Sequence, residues 1–322
     1  MDKFYVNYVN DNTKPMSQIQ DAKFVKHEVF PSDDIKSKTL LKNGFECVKF
    51  TDKMTEKVKI ISKLVDQKGN DVYNDKIYKE FVEDVTKMLK IFLKSDKYNK
   101  YHTDVININS RFRNSDSKHT YFEKDVVEEG VNYVHTDWYP HQSLTTIMLT
   151  QGELLDKLKK MGINKKFTSF ETTTEWNKFY DPIFCDIINV WIPLSDTVKA
   201  SPLSFIDINS MNINDHIPLF GVLNNNNKKY YEIASRTKYN ANQKFYYKPD
   251  ITVGEAYIFC SSNVAHSALE NSNKDKYPER KSIEIRFLII NNTGLHKYYD
   301  VLNNIFDKDE KHEDIIKKWK ID

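Results

Sequence analysis

The feature that most constrains this chain is a change of texture after Lys100. Short segments at 105–108, 131–135, 144–149, 187–192, 203–208, 244–248, 256–260 and 283–290 are rich in β-branched and aromatic residues and bounded by Asn, Asp, Ser, Gly or Pro. Segments of that length and composition read as strands. About eight of them suit a double-sheet jelly roll, which also limits exposed edges. The expected fold is therefore mainly β with flanking helices, a double-stranded β-helix of the cupin-like kind. Before it, helices are expected near 33–42, capped by Ser32 and ended by Gly44, then near 54–66 and 76–93. In the last of these Ile77, Phe81, Val85, Met88, Leu89 and Phe92 repeat at helical spacing, a stripe that reads as core. Residues 1–30 read as an extended lead-in and 224–229 as a solvated loop. The organisation expected is a lead-in with helices over 1–100, a barrel core over 101–295 with a polar helical insertion at 152–176, and a charged C-terminal helix over 296–322.

Charge and composition exclude several function classes. There are 48 Lys+Arg against 46 Asp+Glu, a net charge of +2, which argues against broad electrostatic binding to nucleic acid or an anionic membrane. Apolar runs such as 287–290 fall far short of the roughly 20 residues that span a bilayer. Residues 1–5 carry no apolar signal region. Cys47, Cys185 and Cys260 are odd in number and form no zinc or disulfide pattern, so a reducing, cytoplasmic compartment is expected. Only eight glycines are present, with no phosphate-cradling loop, and there is no Gly-x-Ser-x-Gly elbow.

The sharpest local signal is Val134-His135-Thr136-Asp137-Trp138. On a strand, residues two apart share a face, so this imidazole and carboxylate converge. One His with one carboxylate is two thirds of the facial triad that holds non-haem Fe(II). By itself His-x-Asp is a common chance pair. A third ligand must come from a distant strand, and His266 follows the apolar segment 256–260. Its plainer reading is a surface or satisfied core histidine. Downstream, Arg280, Ser282, Glu284 and Arg286 alternate with Ile283, Ile285 and Phe287, which places two guanidinium groups on one strand face. A barrel interior carrying them needs anions, and a five-carbon diacid would supply two carboxylates, one for a metal and one for a bidentate Arg with a hydroxyl donor. The plainer reading here is a solvated face in which Glu284 pairs with an Arg.

The order His135-x-Asp137, His266, Arg280-x-Ser282 resembles the Fe(II)/2-oxoglutarate dioxygenase superfamily. The stretches Asp186-Ile187-Ile188-Asn189-Val190-Trp191-Ile192-Pro193-Leu194, Ser201-Pro202-Leu203 with Asp207, Tyr239-Asn240 with Phe245-Tyr246-Tyr247, and Pro278-Glu279-Arg280 through Arg286 resemble one branch of it. That branch contains the cephalosporin 7-alpha-methoxylase component, the gibberellin desaturase and fungal meroterpenoid oxygenases. The likeness spans roughly residues 100 to 292. It implies an enzyme that uses Fe(II), O2 and 2-oxoglutarate to hydroxylate or desaturate a small organic, secondary-metabolite-like substrate, with no membrane partner. Carried over by motif, His135, Asp137 and His266 bind iron, Arg280 with Ser282 holds the distal carboxylate of 2-oxoglutarate, and Arg286 assists or replaces Arg280. Asn189 and Tyr239 are candidates for contacts to the co-substrate or to the ligands, and Arg113, Trp138 and Tyr139 for the substrate wall. The insertion at 152–176 and the loop at 224–229 depart from the pattern and are expected to remodel the pocket. Two alternatives remain: the same chemistry on a modified nucleic acid base or protein side chain, and a catalytically silent jelly-roll binding protein.

Overall fold

The computed structural model describes residues 2–9, 24–94, 104–114, 133–137, 185–212, 215–225, 228–261 and 264–290. The strand expected at 144–149, the insertion at 152–176, the C-terminal helix, and Trp138 and Tyr139 lie outside the described residues. In chain order the elements are β1 (Phe4–Val9), β2 (Phe24–Val29), α1 (Leu40–Asn43), β3 (Phe45–Lys49), α2 (Asp52–Lys68), α3 (Lys76–Lys94), β4 (Asp104–Asn114), β5 (His135–Thr136), β6 (Cys185–Pro193), β7 (Leu203–Ile206), β8 (His216–Asn225), β9 (Lys228–Thr237), β10 (Phe245–Tyr246), β11 (Glu255–Cys260), β12 (His266–Ala268), β13 (Glu270–Asn271) and β14 (Lys281–Ile290).

Among the described residues the strands form a five-stranded sheet in the order β3-β11-β6-β14-β4, a six-stranded sheet in the order β10-β7-β12-β5-β9-β8, and a small sheet β13-β1-β2. Strand alternation gives the five-stranded sheet two different faces. Ile283, Ile285, Phe287 and Ile289 of β14 join Ile188, Val190 and Ile192 of β6 in one cluster with Val58 and Ile61 of α2 and Phe81, Val85 and Leu89 of α3. The helices therefore cover that face. Tyr78, Phe81, Val85, Leu89 and Leu93 of α3 are buried at helical spacing, and each fully buried side chain of this size contributes at most about 1.5–3 kcal/mol. The opposite face meets the six-stranded sheet. Phe205 of β7 lies 4.9 Å from the Tyr257 ring and 5.0 Å from the Phe259 ring of β11. Two antiparallel sheets closed on each other in this way make a double-stranded β-helix.

Several local expectations change. The helix expected over 33–42 is a 3-10 turn, Asp34–Ser37, followed by the single-turn α1. Lys38 and Thr39 are extended, and the Thr39 side chain accepts from the Lys42 N–H as a new cap. The break lets Ile35 enter the cluster between the sheets while Leu40 enters the one under the helices. The extended lead-in proves to be two paired strands, Phe4 opposite Val29 through Val9 opposite Phe24. The loop expected at 224–229 is the tip of a long hairpin, with pairing that runs out to Asn225 opposite Lys228.

Gly44 ends α1 at φ 85° and its carbonyl accepts from the Cys260 N–H at 3.0 Å. A Cβ there would stand 2.3 Å from Val264 Cγ2. Gly44→Ala is expected to destabilise the fold by about 1–3 kcal/mol from backbone strain alone, more with the clash, and to lower the melting temperature by several degrees in a thermal scan. An unchanged melting temperature would show that the left-handed cap is dispensable.

Candidate functional site

The site begins with β5, a strand of only two residues. It is pinned from several sides: the Val134 N–H donates to Asn7 O, the Thr237 N–H to Val134 O, and the Asp137 N–H to Ser261 O. These bonds set the register in which His135 stands opposite His266 of β12 on one side and Arg236 of β9 on the other. Directly opposed residues of an antiparallel pair present side chains to the same face. The His135 and His266 rings accordingly lie 4.4 Å apart, and the His266 ring lies 4.8 Å from Phe259 of the facing sheet.

Both imidazoles are oriented by their own chain. His135 Nδ1 lies 2.9 Å from Tyr133 O, and His266 Nδ1 lies 3.0 Å from Val264 O. A carbonyl only accepts, so each Nδ1 carries a proton, which in the neutral ring leaves the lone pair on Nε2. Asp137, with a side chain 6% exposed, places Oδ1 3.6 Å from His135 Nε2. One ligand atom from each of His135, Asp137 and His266 falls within 4.8 Å of the others, a group that could hold a metal ion. Two side chains of the five-stranded sheet hold the carboxylate. Asn189 Nδ2 donates to Oδ2 at 2.7 Å, and Arg286 Nη2 lies 3.1 Å from Oδ1. Arg286 is shared with Glu284, whose Oε1 accepts from its Nε at 2.8 Å. Burial pushes the Asp137 carboxyl up, but the charge of the adjacent Arg286 guanidinium, the leading opposing cause, offsets it and holds the group well below the ordinary carboxylate range. Burial, with the nearby His135, pushes His266 down to about 4.

The other expected residues divide. On β14, Ser282, Glu284 and Arg286 stand opposite Pro193, Trp191 and Asn189 of β6, on the face away from the helices. Arg280, just before the strand, is buried; its Nη1 donates to Ser201 O at 3.0 Å and its guanidinium lies 6.0 Å from the Trp191 ring. Among the described residues Ser282 Oγ is buried without a hydrogen-bond partner. Arg113 of β4 stands opposite Ser282 and is buried, with Arg111 opposite Glu284. Asn189 reaches the site through Asp137, and its Oδ1 is buried without a partner. Tyr239 is a correction. It is 45% exposed, its ring stacked at 3.9 Å on His27 and edge-on to Tyr8. It is tied to the β1–β2 surface and not to the metal-type group. Arg286, expected to assist or replace Arg280, is engaged with Glu284 and Asp137. Sequence reasoning missed Arg236. Its alternation between Ser235 and Thr237 is visible in the sequence, but its place beside His135 follows only from the β5–β9 register.

Set against known proteins, residues 174–290 match a family model described as "YDMC: Oxidoreductase/YMDC permease-like domain". No curated protein matches the sequence. Among solved structures, the iron and alpha-ketoglutarate-dependent endoperoxidase NvfI is similar at 18% identity and a TM-score of 0.59, over 90% of this chain and 97% of its own. NvfI in a different conformation is similar at 17% identity and a TM-score of 0.62, over 90% and 97%. At such identities the likeness is one of fold, the double-stranded β-helix. No helix among the described residues is long and apolar enough to cross a membrane.

His216 is a second buried histidine pushed by burial to about 4. Both His216 and His266 are thus harder to protonate folded than unfolded. Above about pH 6.5 both are neutral in either state and their contribution is intact. As pH falls, the unfolded chain takes up protons first, and stability is lost until the folded groups titrate near 4. Urea unfolding of metal-free protein in EDTA should show this fall between pH 6.5 and 4, up to roughly 3 kcal/mol for each histidine. His216→Gln should flatten it, and an equally steep fall in that variant would remove His216 as a cause.

Proposed function

We propose that the chain is a non-haem Fe(II)/2-oxoglutarate-dependent dioxygenase that hydroxylates or desaturates a small organic molecule, with 2-oxoglutarate decarboxylated to succinate. The observation that carries this reading is the His135–Asp137–His266 group, whose ligand atoms lie within 4.8 Å of one another while both Nδ1 atoms are engaged by backbone carbonyls. That donor set, two neutral imidazoles and one carboxylate, suits ferrous iron. The buried Ser282 Oγ without a partner, beside a buried arginine, fits an anionic co-substrate. The fold shared with NvfI, itself described as iron and alpha-ketoglutarate-dependent, is consistent with the same chemistry. Residues 101–295 would form the oxygenase core, with the helices of 1–100 as its outer cover.

In this reading His135 Nε2, His266 Nε2 and Asp137 hold the metal. Bound there, ferrous iron with O2 and 2-oxoglutarate supplies the oxidising power for attack on a C–H bond. The protein's own work is positional. The Tyr133 and Val264 carbonyls keep the two Nε2 lone pairs turned inward. Asn189 and Arg286 fix the orientation of the Asp137 carboxylate, and Glu284 balances the second half of the Arg286 charge. Arg280 with Ser282 holds the distal carboxylate of 2-oxoglutarate, leaving Arg286 as a positioning residue for Asp137. Phe205, opposite His266 on β7, and Phe259, whose ring lies 4.8 Å from the His266 ring, flank His266 with apolar surface. Arg113, opposite Ser282 on β4, would contribute to the substrate wall.

Anaerobic titration with Fe(II) and 2-oxoglutarate tests the reading. A weak visible charge-transfer band should grow in with wild type and be absent in His135→Ala, Asp137→Ala and His266→Ala. Arg280→Met should raise the 2-oxoglutarate needed for half-saturation roughly 10- to 100-fold, as for loss of a charged hydrogen bond, whereas Arg286→Met should weaken metal binding more than co-substrate binding. A band that survives removal of either histidine would sink the assignment of the triad.

A further inference from the structure

β9 brings into the barrel a charge that the proposed chemistry does not use. Arg236 stands between His135 of β5 and Ile217 of β8 in the sheet register. Because directly opposed residues share a face, its side chain lies on the same inner face as His135. It is 0% exposed, yet among the described residues Nε, Nη1 and Nη2 all lack a hydrogen-bond partner. Its described contact is the ring of Tyr133, 5.8 Å from the guanidinium carbon, and that ring is 5.2 Å from the His135 ring.

A guanidinium keeps its proton even when burial lowers its pKa, as burial does here. Five buried N–H donors with no acceptor among the described residues are costly to maintain. A cation–π contact returns only part of that cost. The missing partner is an anion, and the proposed co-substrate is badly placed to be it. Arg280 is anchored to the Ser201 carbonyl, just ahead of β7. In the order β7-β12-β5-β9 the triad strands lie between β7 and β9, and three strand spacings separate those flanks by roughly 14 Å. A five-carbon diacid that runs from the triad to Arg280 therefore extends away from Arg236.

We propose that Arg236 binds a carboxylate of the organic substrate, so that this oxygenase acts on a small organic acid seated on the β9 side of His135. A planar carboxylate matches the guanidinium fork in charge and geometry, and the Tyr133 ring flanks the site with an aromatic face. The proposal rests on the dioxygenase reading for the word substrate, but the anion site itself does not depend on iron chemistry.

The test uses full-length wild type, Arg236→Met, Arg236→Lys and Arg280→Met, each with Mn(II) and 2-oxoglutarate to occupy the triad and the Arg280 side, and each also without them. Benzoate and its neutral isostere benzamide are titrated in by calorimetry and thermal melting. Wild type should prefer benzoate over benzamide at least tenfold. Arg236→Met should lose that preference, melt at or above the wild-type temperature because an unbalanced buried charge is gone, and bind 2-oxoglutarate as before. Arg280→Met should keep the benzoate preference and lose 2-oxoglutarate affinity. Should Arg236→Met fail to fold, Arg236→Lys should still bind 2-oxoglutarate normally and benzoate at least tenfold more weakly. The proposal is overturned by any of three results: no benzoate preference in wild type, an undiminished preference in the Arg236 variants, or loss of 2-oxoglutarate binding on changing Arg236. If wild type binds neither Mn(II) nor 2-oxoglutarate, the oxygenase reading fails separately, and the benzoate titration of the protein alone still decides the anion site.

Discussion

The site depends on one register. β5 contains two paired residues, and the whole donor group follows from His135 standing opposite His266. Side chains on a strand alternate, so a slip of one residue would turn His135 out of the barrel and bring Thr136 in. A strand that short cannot hold its own register. The bonds from Val134 to Asn7, from Thr237 to Val134 and from Asp137 to Ser261 do so from three separate segments. The N-terminal strand β1 thus has a part in the site through the Asn7 carbonyl.

The second constraint is charge in a dry interior. Asp137 is buried beside Arg286, and Arg286 is balanced again by Glu284. Breaking a buried ionic network by removing one member leaves an uncompensated charge, which is far more damaging than never having had the pair. The network keeps the Asp137 carboxyl ionised against the push of burial, which is the state a metal ligand needs. On the other side of the triad Arg236 has no such balance among the described residues. The inner surface is polarised accordingly, with a compensated cluster on the β14 side and an uncompensated cation on the β9 side.

Much of this was legible in the residues. The two-residue spacing of His135 and Asp137 announces a shared face, because the period of a strand is a local property. The alternation from Arg280 to Phe287 separates a polar inner face from an apolar outer one, and β14 has that division. The stripe of α3 buries as its spacing requires. Other readings went astray where local preference is weak. Ser32 and the acidic residues after it promise one helix, but burying Ile35 and Leu40 in different clusters breaks it. The Asn- and Lys-rich stretch near 224–229 has low strand propensity, yet Asn224 and Asn225 pair with Lys229 and Lys228 at the end of the β8–β9 ladder. Tyr239 matched a motif by type and not by position, and its ring sits on His27.

What the sequence alone determined is the chemistry available: two histidines, an aspartate and a set of arginines in strand-like surroundings, with the faces on which near neighbours must lie. Only the tertiary structure decided which distant faces meet. It placed Arg286 on Asp137, set Arg280 near Ser201, left Tyr239 half-exposed against His27, and brought Arg236 beside His135. The reason is physical. Strand periodicity is written in consecutive residues, whereas register between strands a hundred residues apart depends on which hydrogen-bond ladders and buried clusters can be satisfied together.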